Sequence, residues 1–278
     1  MKYDNYLFDL YGTLVDIHTE EDVPEVYERL SAFYGYYGAV YTPTEFKQSY
    51  IGMIHRQEGI MKGDNHEMFP EIQIEDVFLE LFTAKGVKAD KALAVHAGQF
   101  FRILSTDYIK LYQGARELLT FLKEQGKNVY LLSNAQRIFT EYEMRALGIY
   151  DIFDKVYISS DYHCKKPDIQ FYNALLEELG LDPAKTIMIG NDNRCDIEGA
   201  KAVGLDTFYI HSNISPQVED FSAIKSTYLL EEMDLRKVKE IFKNGCTKRK
   251  RKVEKMDKNA NEFFEKLCIM ENFRMPKK

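Results

Sequence analysis

The sequence predicts an α/β fold built on a doubly wound parallel sheet. Five short runs rich in aliphatic, β-branched and aromatic residues, at 5–10, 128–132, 155–159, 186–190 and 207–210, each have the length of a buried strand. From the second run onward they alternate with helical patterns, and strand, helix, strand in repetition is the signature of a parallel sheet. More than a hundred residues separate the first run from the second, and that interval is helical in pattern, not loop-like.

Taken in order, the run at 5–10 opens the sheet, and helical stretches follow near 22–37, 44–60, 74–84 and 90–104. They are punctuated by Pro43, Gly63, Pro70 and Gly86. Thr19-Glu-Glu-Asp22 resembles a capping box with Asp in the place of Glu or Gln. These signals predict a helical insertion over residues 17–107, with the core formed by 1–16 and 108–244. GARELLTFLKEQG precedes the second run, and Gly126 stands where that helix should stop. QFYNALLEELG and DIEGAKAVG follow the third and fourth runs, each closing on glycine. No internal repeat is present.

Composition bounds the function. The chain has 278 residues, 45% hydrophobic and 29% charged, which excludes a disordered chain and is enough for a sizeable core. No apolar run reaches the roughly 18 residues of a membrane span. The first ten residues carry acids inside their apolar stretch, unlike a secretory signal. Cys164, Cys195, Cys246 and Cys268 show neither metal-ligand spacing nor disulfide density, so a reducing, cytoplasmic setting is expected. A net charge of −7 argues against nucleic acid as the main partner. That total is uneven: residues 245–278 hold 11 basic and 5 acidic residues, +6, which leaves −7 − 6 = −13 on residues 1–244.

In such sheets ligands bind beyond the carboxyl ends of the strands. Asp9-Leu10-Tyr11-Gly12-Thr13 follows the first run and Ser133-Asn134 the second. Lys165-Lys166-Pro167-Asp168 follows the third, and Asn191-Asp192-Asn193-Arg194-Cys195-Asp196 the fourth. One Asp after a strand is commonly a turn residue, and Lys-Pro commonly a turn. Four such segments in order, each at a strand end, point instead to a catalytic framework. A carboxylate can attack an electrophile and form a covalent ester. An ammonium beside it keeps it ionised and balances an anionic substrate, while hydroxyl and N–H groups bind substrate oxygens.

FDLYGTL, LLSN, KKPD and MIGNDNRCDIEGAKAVG resemble the four motifs of the haloacid dehalogenase superfamily, and the likeness extends over residues 3–215 outside the insertion. The resemblance implies a Rossmann-like core with an α-helical cap over the site. It implies that Asp9 is the nucleophile, that Thr13 and Ser133 bind and orient substrate, and that Lys166 is the motif lysine. The superfamily's phosphatases carry a second Asp two residues after the nucleophile, as general acid and base; here that residue is Tyr11. A phosphate ester releases an alkoxide that needs a proton, whereas a halide does not, and general acid help is worth about 10²–10⁴-fold. FDLYGTLVDIHT is similar to the first motif of the 2-haloacid dehalogenases through Asp16 and His18. Asn134, Tyr172, Asn193 and Asp196 also match positions those enzymes use, which implies substrate contact for the first three and water activation for Asp196. Tyr11 is grouped with the substrate-binding residues on the same grounds.

This chain departs from the dehalogenases at Asn191 and Cys195, where they carry Ser and Trp. Their substrate-binding cap arginine has three candidates here, Arg56, Arg29 and Arg102. In a phosphatase reading Mg²⁺ is held by Asp9, the Tyr11 carbonyl and Asp192; in the dehalogenase reading no cofactor is required. The residues favour a dehalogenase-like hydrolase of a small anionic substrate. The alternatives are a Mg²⁺-dependent phosphatase with an altered acid, and a binding protein of the same fold. A homo-oligomer stays open. His18 is expected to be a hinge or capping residue, and Tyr34, Tyr36, Tyr37 and Tyr41 to pack against the sheet. In the basic tail, 245–278, Val253, Met256, Ala260, Phe263, Leu267 and Met270 recur at spacings of 3 and 4, the stripe of an amphipathic helix.

Overall fold

The computed structural model describes residues 1–62 and 69–244; the expected amphipathic helix and its cysteines lie outside those residues. The chain enters through β1 (Asn5–Phe8) and β2 (Val15–Thr19). Four helices follow, α1 (Pro24–Tyr36), α2 (Pro43–Lys62), α3 (Ile74–Thr83) and α4 (Lys91–Ser105), where four helical stretches were expected. The chain returns through β3 (Thr106–Leu111), then α5 (Ala115–Glu124), β4 (Asn128–Ser133) and α6 (Arg137–Ala146). After these come β5 (Lys155–Ile158), α7 (Ser159–Tyr162), α8 (Ile169–Leu179), β6 (Thr186–Gly190) and α9 (Gly199–Ala202). The last elements are β7 (Asp206–Ile210), β8 (Tyr228–Leu230) and α10 (Leu235–Lys243).

Six strands form one sheet in the order β5-β4-β1-β6-β7-β8, every pairing parallel. The five expected runs are β5, β4, β1, β6 and β7. The sixth, β8, is only three residues, YLL, too short to stand out as a run. Both faces of the sheet are covered. Leu7 packs with Phe171, Tyr172 and Leu175 of α8, while its neighbour Tyr6 meets Phe242 of α10 edge-on at 5.0 Å. Leu235, Val238 and Phe242 are buried, and Asp234 caps α10 by accepting from the N–H groups of Arg236 and Lys237. Phe8 is level with Leu131 of β4 and Ile189 of β6, so the residues after these strands share one sheet edge.

The four-helix insertion has its own core, centred on Tyr34, Phe46, Phe78, Phe82 and Phe101. Tyr34 stacks on Phe82 at 4.0 Å and donates to the Phe78 carbonyl, while Tyr41 donates to the Leu81 carbonyl. The tyrosine cluster therefore packs inside the insertion, not on the sheet, and Tyr36 and Tyr37 are 86% and 43% exposed. β2 and β3 pair as an antiparallel ribbon at the base of the insertion. Sequence reading missed this ribbon because its exposed faces are polar.

Asp16 ties the ribbon to the core by accepting from Asn213 Nδ2 at 2.9 Å, Tyr108 at 3.2 Å and Lys110 at 3.2 Å. Burial alone would raise its pKa, but these three donors outweigh burial and hold it below the usual carboxylate range. Its stabilising contribution is thus complete above the unfolded value and lost as pH falls through the lower folded value. Asp16→Asn is expected to flatten the acid limb of stability against pH in urea titrations; an unchanged limb would remove this role.

Candidate active site

The site begins with the turn after β1. Gly12 has a φ of +84°, the left-handed region that favours glycine, and a Cβ there would collide with the Asn191 side chain. The turn therefore lies directly on the loop after β6. Asp9 is 7% exposed, and its N–H donates to the Ile189 carbonyl. Its Oδ1 accepts from Lys166 Nζ at 2.8 Å and Ser133 Oγ at 3.1 Å. Its Oδ2 has one long contact, to Thr13 Oγ1 at 3.3 Å. Thr13 Oγ1 also lies 3.2 Å from Asn191 Oδ1. Four segments spread between positions 9 and 191 are thus joined around one carboxylate.

Lys166 bridges two buried carboxylates, reaching Asp196 Oδ1 at 2.7 Å as well as Asp9. The other oxygen of Asp196 accepts from the backbone N–H groups of Asn191 and Asp192. Burial pushes the Asp196 carboxyl up; Lys166 counters it and the Asp9 charge adds to it, leaving it at about 6. One ammonium shared by two buried carboxylates leaves a net negative charge, so the more deeply buried acid is the one raised. With both its oxygens engaged, Asp196 anchors the loop and the lysine.

Asn134 and Tyr172, expected to touch substrate, spend their polar atoms on the protein. Asn134 accepts from the Lys166 N–H at 2.8 Å and donates to the Lys166 carbonyl at 2.9 Å, which fixes the lysine loop. Tyr172 is fully enclosed and donates to the Cys195 carbonyl. Asn193 donates to Glu198, and its enclosed Oδ1 accepts nothing among the described residues. Burial, then the charge of Asp192, pushes the Cys195 thiol up to about 12, so it is no competing nucleophile.

Tyr11 turns towards α6. Its hydroxyl donates to Glu143 and lies 3.1 Å from Thr140 Oγ1. Burial, then the Glu143 charge, pushes this phenol well above its ordinary value. Arg102 of α4 holds Glu143 through Nε at 2.6 Å, with its guanidinium carbon 5.7 Å from the centre of the Tyr11 ring. Of the three candidate arginines, only Arg102 reaches this region; Arg56 pairs with Glu80 and Arg29 with Glu25. Glu143 and Thr140 were missed in the sequence, where nothing links position 143 to position 11. The Arg102–Glu143 pair is about 15% exposed, so losing one partner strands a largely buried charge. Arg102→Met is expected to lower stability by about 1–3 kcal/mol in urea unfolding, between surface and fully buried pairs. A change below about 0.5 kcal/mol would argue against it.

A second contact joins insertion and core beside Lys166. The Lys165 N–H donates to the Phe69 carbonyl, the Glu71 N–H to the His163 carbonyl and the Ile74 N–H to Gln136 Oε1. Glu71 accepts from Ser159 and Gln136, and burial raises its pKa. The donor set also suits a hard divalent cation. Asp9 and Asp192 bring carboxylates to the ends of the neighbouring strands β1 and β6, and Asp192 uses Oδ1 to cap the turn at Cys195. Two carboxylates and the Tyr11 carbonyl are the kind of oxygen set that Mg²⁺ takes.

The chain is 26% identical over 236 residues to the pyrimidine 5'-nucleotidase PynA of Streptococcus pneumoniae, covering 82% of this chain and 91% of that protein. It is 24% identical to a glyceraldehyde 3-phosphate phosphatase of Methanothermobacter thermautotrophicus, covering 65% and 76%. Among solved structures, the putative HAD-hydrolase YfnB of Bacillus subtilis, bound to magnesium, superposes with a TM-score of 0.51 at 20% identity, covering 87% of this chain and all of that one. A dehalogenase with an intermediate complex superposes at 0.52 and 17% identity, covering 86% and 97%. The two superpositions show the fold. A model of the haloacid dehalogenase-like hydrolases matches residues 3–204, from the strand before Asp9 to beyond Asp196. The turn, the lysine loop and the loop after β6 all fall inside that match, and the chain belongs to the haloacid dehalogenase-like hydrolase family.

Proposed function

We propose that this hydrolase cleaves small phosphorylated compounds through a covalent phosphoryl ester on Asp9, with the helical insertion as a cap. The single observation that carries the reading is the unequal use of the Asp9 carboxylate. Oδ1 is held by Lys166 and Ser133, while Oδ2, with only its long contact to Thr13 among the described residues, is the attacking atom. Lys166 keeps the carboxylate ionised, which a nucleophile requires. The Thr13 and Ser133 hydroxyls orient the Asp9 carboxylate, and Asn134 and Asp196 hold Lys166 in place. Mg²⁺ held by Asp9, the Tyr11 carbonyl and Asp192 would neutralise phosphoryl charge.

The relatives support this reading over the dehalogenase reading that the first motif favours, since those described by an activity are mainly phosphatases. The dehalogenase reading stands second, on Tyr11 and on the direct Lys166–Asp9 contact. The test is release of phosphate from a panel of phosphorylated compounds, and of halide from 2-haloacids, each with and without Mg²⁺. Phosphate release that needs Mg²⁺ is the expected result. Halide release without metal and no phosphate from any compound would overturn it.

A further inference from the structure

We infer that the leaving group departs without a proton from the protein, so that the substrates are acyl phosphates and phosphoanhydrides, not alkyl phosphates. This rests on the phosphatase reading and narrows it to a substrate class. The starting point is position 11, where a carboxylic acid would protonate the departing oxygen. Tyr11 has a single hydroxyl proton, and it is donated to Glu143. Glu143 has none to pass on in return, because Arg102 donates to both of its oxygens. Hydroxyl, carboxylate and guanidinium therefore form a chain in which the Tyr11 proton and both Glu143 oxygens are committed.

Among the described residues, the groups in contact with Asp9 and Lys166 do not replace it. Asp196 accepts three hydrogen bonds on its two oxygens, so a proton there would meet a donor. Lys166 spends two of its three N–H bonds on Asp9 and Asp196, and giving up a proton would leave two buried carboxylates without a countercharge. The hydroxyls of Thr13 and Ser133 are engaged with Asp9.

The chemistry follows. Asp9 Oδ2 bonds to phosphorus as the bond to the leaving oxygen breaks, and the electron pair stays on that oxygen. An alkoxide in that position must be protonated, and losing the acid costs about 10²–10⁴-fold. A carboxylate, with a conjugate-acid pKa of about 4, or a phosphate monoester, at about 6, leaves as a stable anion. Water then attacks the phosphorus of the Asp9 ester, releasing inorganic phosphate and restoring the carboxylate, with its proton passing to solvent. With both oxygens of Asp196 engaged, no base among the described residues in contact with Asp9 assists that step, and the ester accumulates.

The test measures kcat/KM for phosphate release, with Mg²⁺, from acetyl phosphate, pyrophosphate, glycerol 3-phosphate and a series of substituted phenyl phosphates of matched size. Acetyl phosphate or pyrophosphate should exceed glycerol 3-phosphate by about 10²–10⁴-fold, and which of the two leads separates the acyl from the anhydride source. The phenyl series should fall steeply as the leaving phenol becomes less acidic. Tyr11→Asp should flatten that dependence; if the variant does not fold, the wild-type series decides alone. Rapid quench should show a burst of leaving group before steady turnover. A flat phenyl series, with glycerol 3-phosphate within tenfold of acetyl phosphate, would overturn the inference and leave the phosphatase reading intact. Phosphate from none of these compounds would sink both.

Discussion

Asp9→Asn is expected to abolish turnover, with a loss on the order of 10⁶-fold, the scale seen when a covalent nucleophile is removed. The change is nearly isosteric, so the Ser133 contact to Oδ1 persists and Lys166 keeps Asp196 as its partner. Circular dichroism and the urea midpoint should therefore show a folded protein. Turnover within a hundredfold of wild type would remove Asp9 as the nucleophile.

The second large effect is on stability. Lys166→Met strands two buried carboxylates that share one ammonium, Asp9 and Asp196. Breaking a buried ion pair from one side costs about 3–5 kcal/mol, which urea unfolding at neutral pH should register. The pH dependence has a definite sign. In the wild type, burial already holds Asp196 at about 6, against an unfolded value of 3.8. A raised carboxyl pKa means that the folded state binds more protons, so this group's contribution to stability falls as pH rises through that window. Without Lys166 the Asp196 value rises further, and the variant should recover stability as pH is lowered towards 5. A loss below about 1 kcal/mol, or one independent of pH, would contradict the shared-lysine account.

The sheet was legible because buried parallel strands are short apolar runs bounded by turn residues, and β1, β4, β5, β6 and β7 all fit that form. The placement of Asp9, Ser133, Lys166 and Asp196 followed, because topology alone brings strand ends together. The β2–β3 ribbon was hidden because half-exposed strands such as VDIHT alternate with polar residues and do not form apolar runs. What each side chain does after it arrives was not legible. Asn134 reads as a ligand-facing amide, yet both ends of it grip the Lys166 backbone. The Tyr11–Glu143–Arg102 chain joins three elements, and no periodicity encodes a contact between residues 132 positions apart. Tyr11 marks the departure from the phosphatase pattern, but its consequence depends on Glu143, which only the fold brings near.

The central claim is a covalent phosphoryl ester on Asp9, and trapping that ester tests it most directly. Wild-type protein turning over acetyl phosphate or pyrophosphate with Mg²⁺ would be quenched in acid and digested, and the peptides examined by mass spectrometry. Reduction with borohydride should convert the phosphorylated position to homoserine at residue 9, in the wild type and not in Asp9→Asn. Phosphate release with the adduct on another residue, or continued release by Asp9→Asn, would contradict the account.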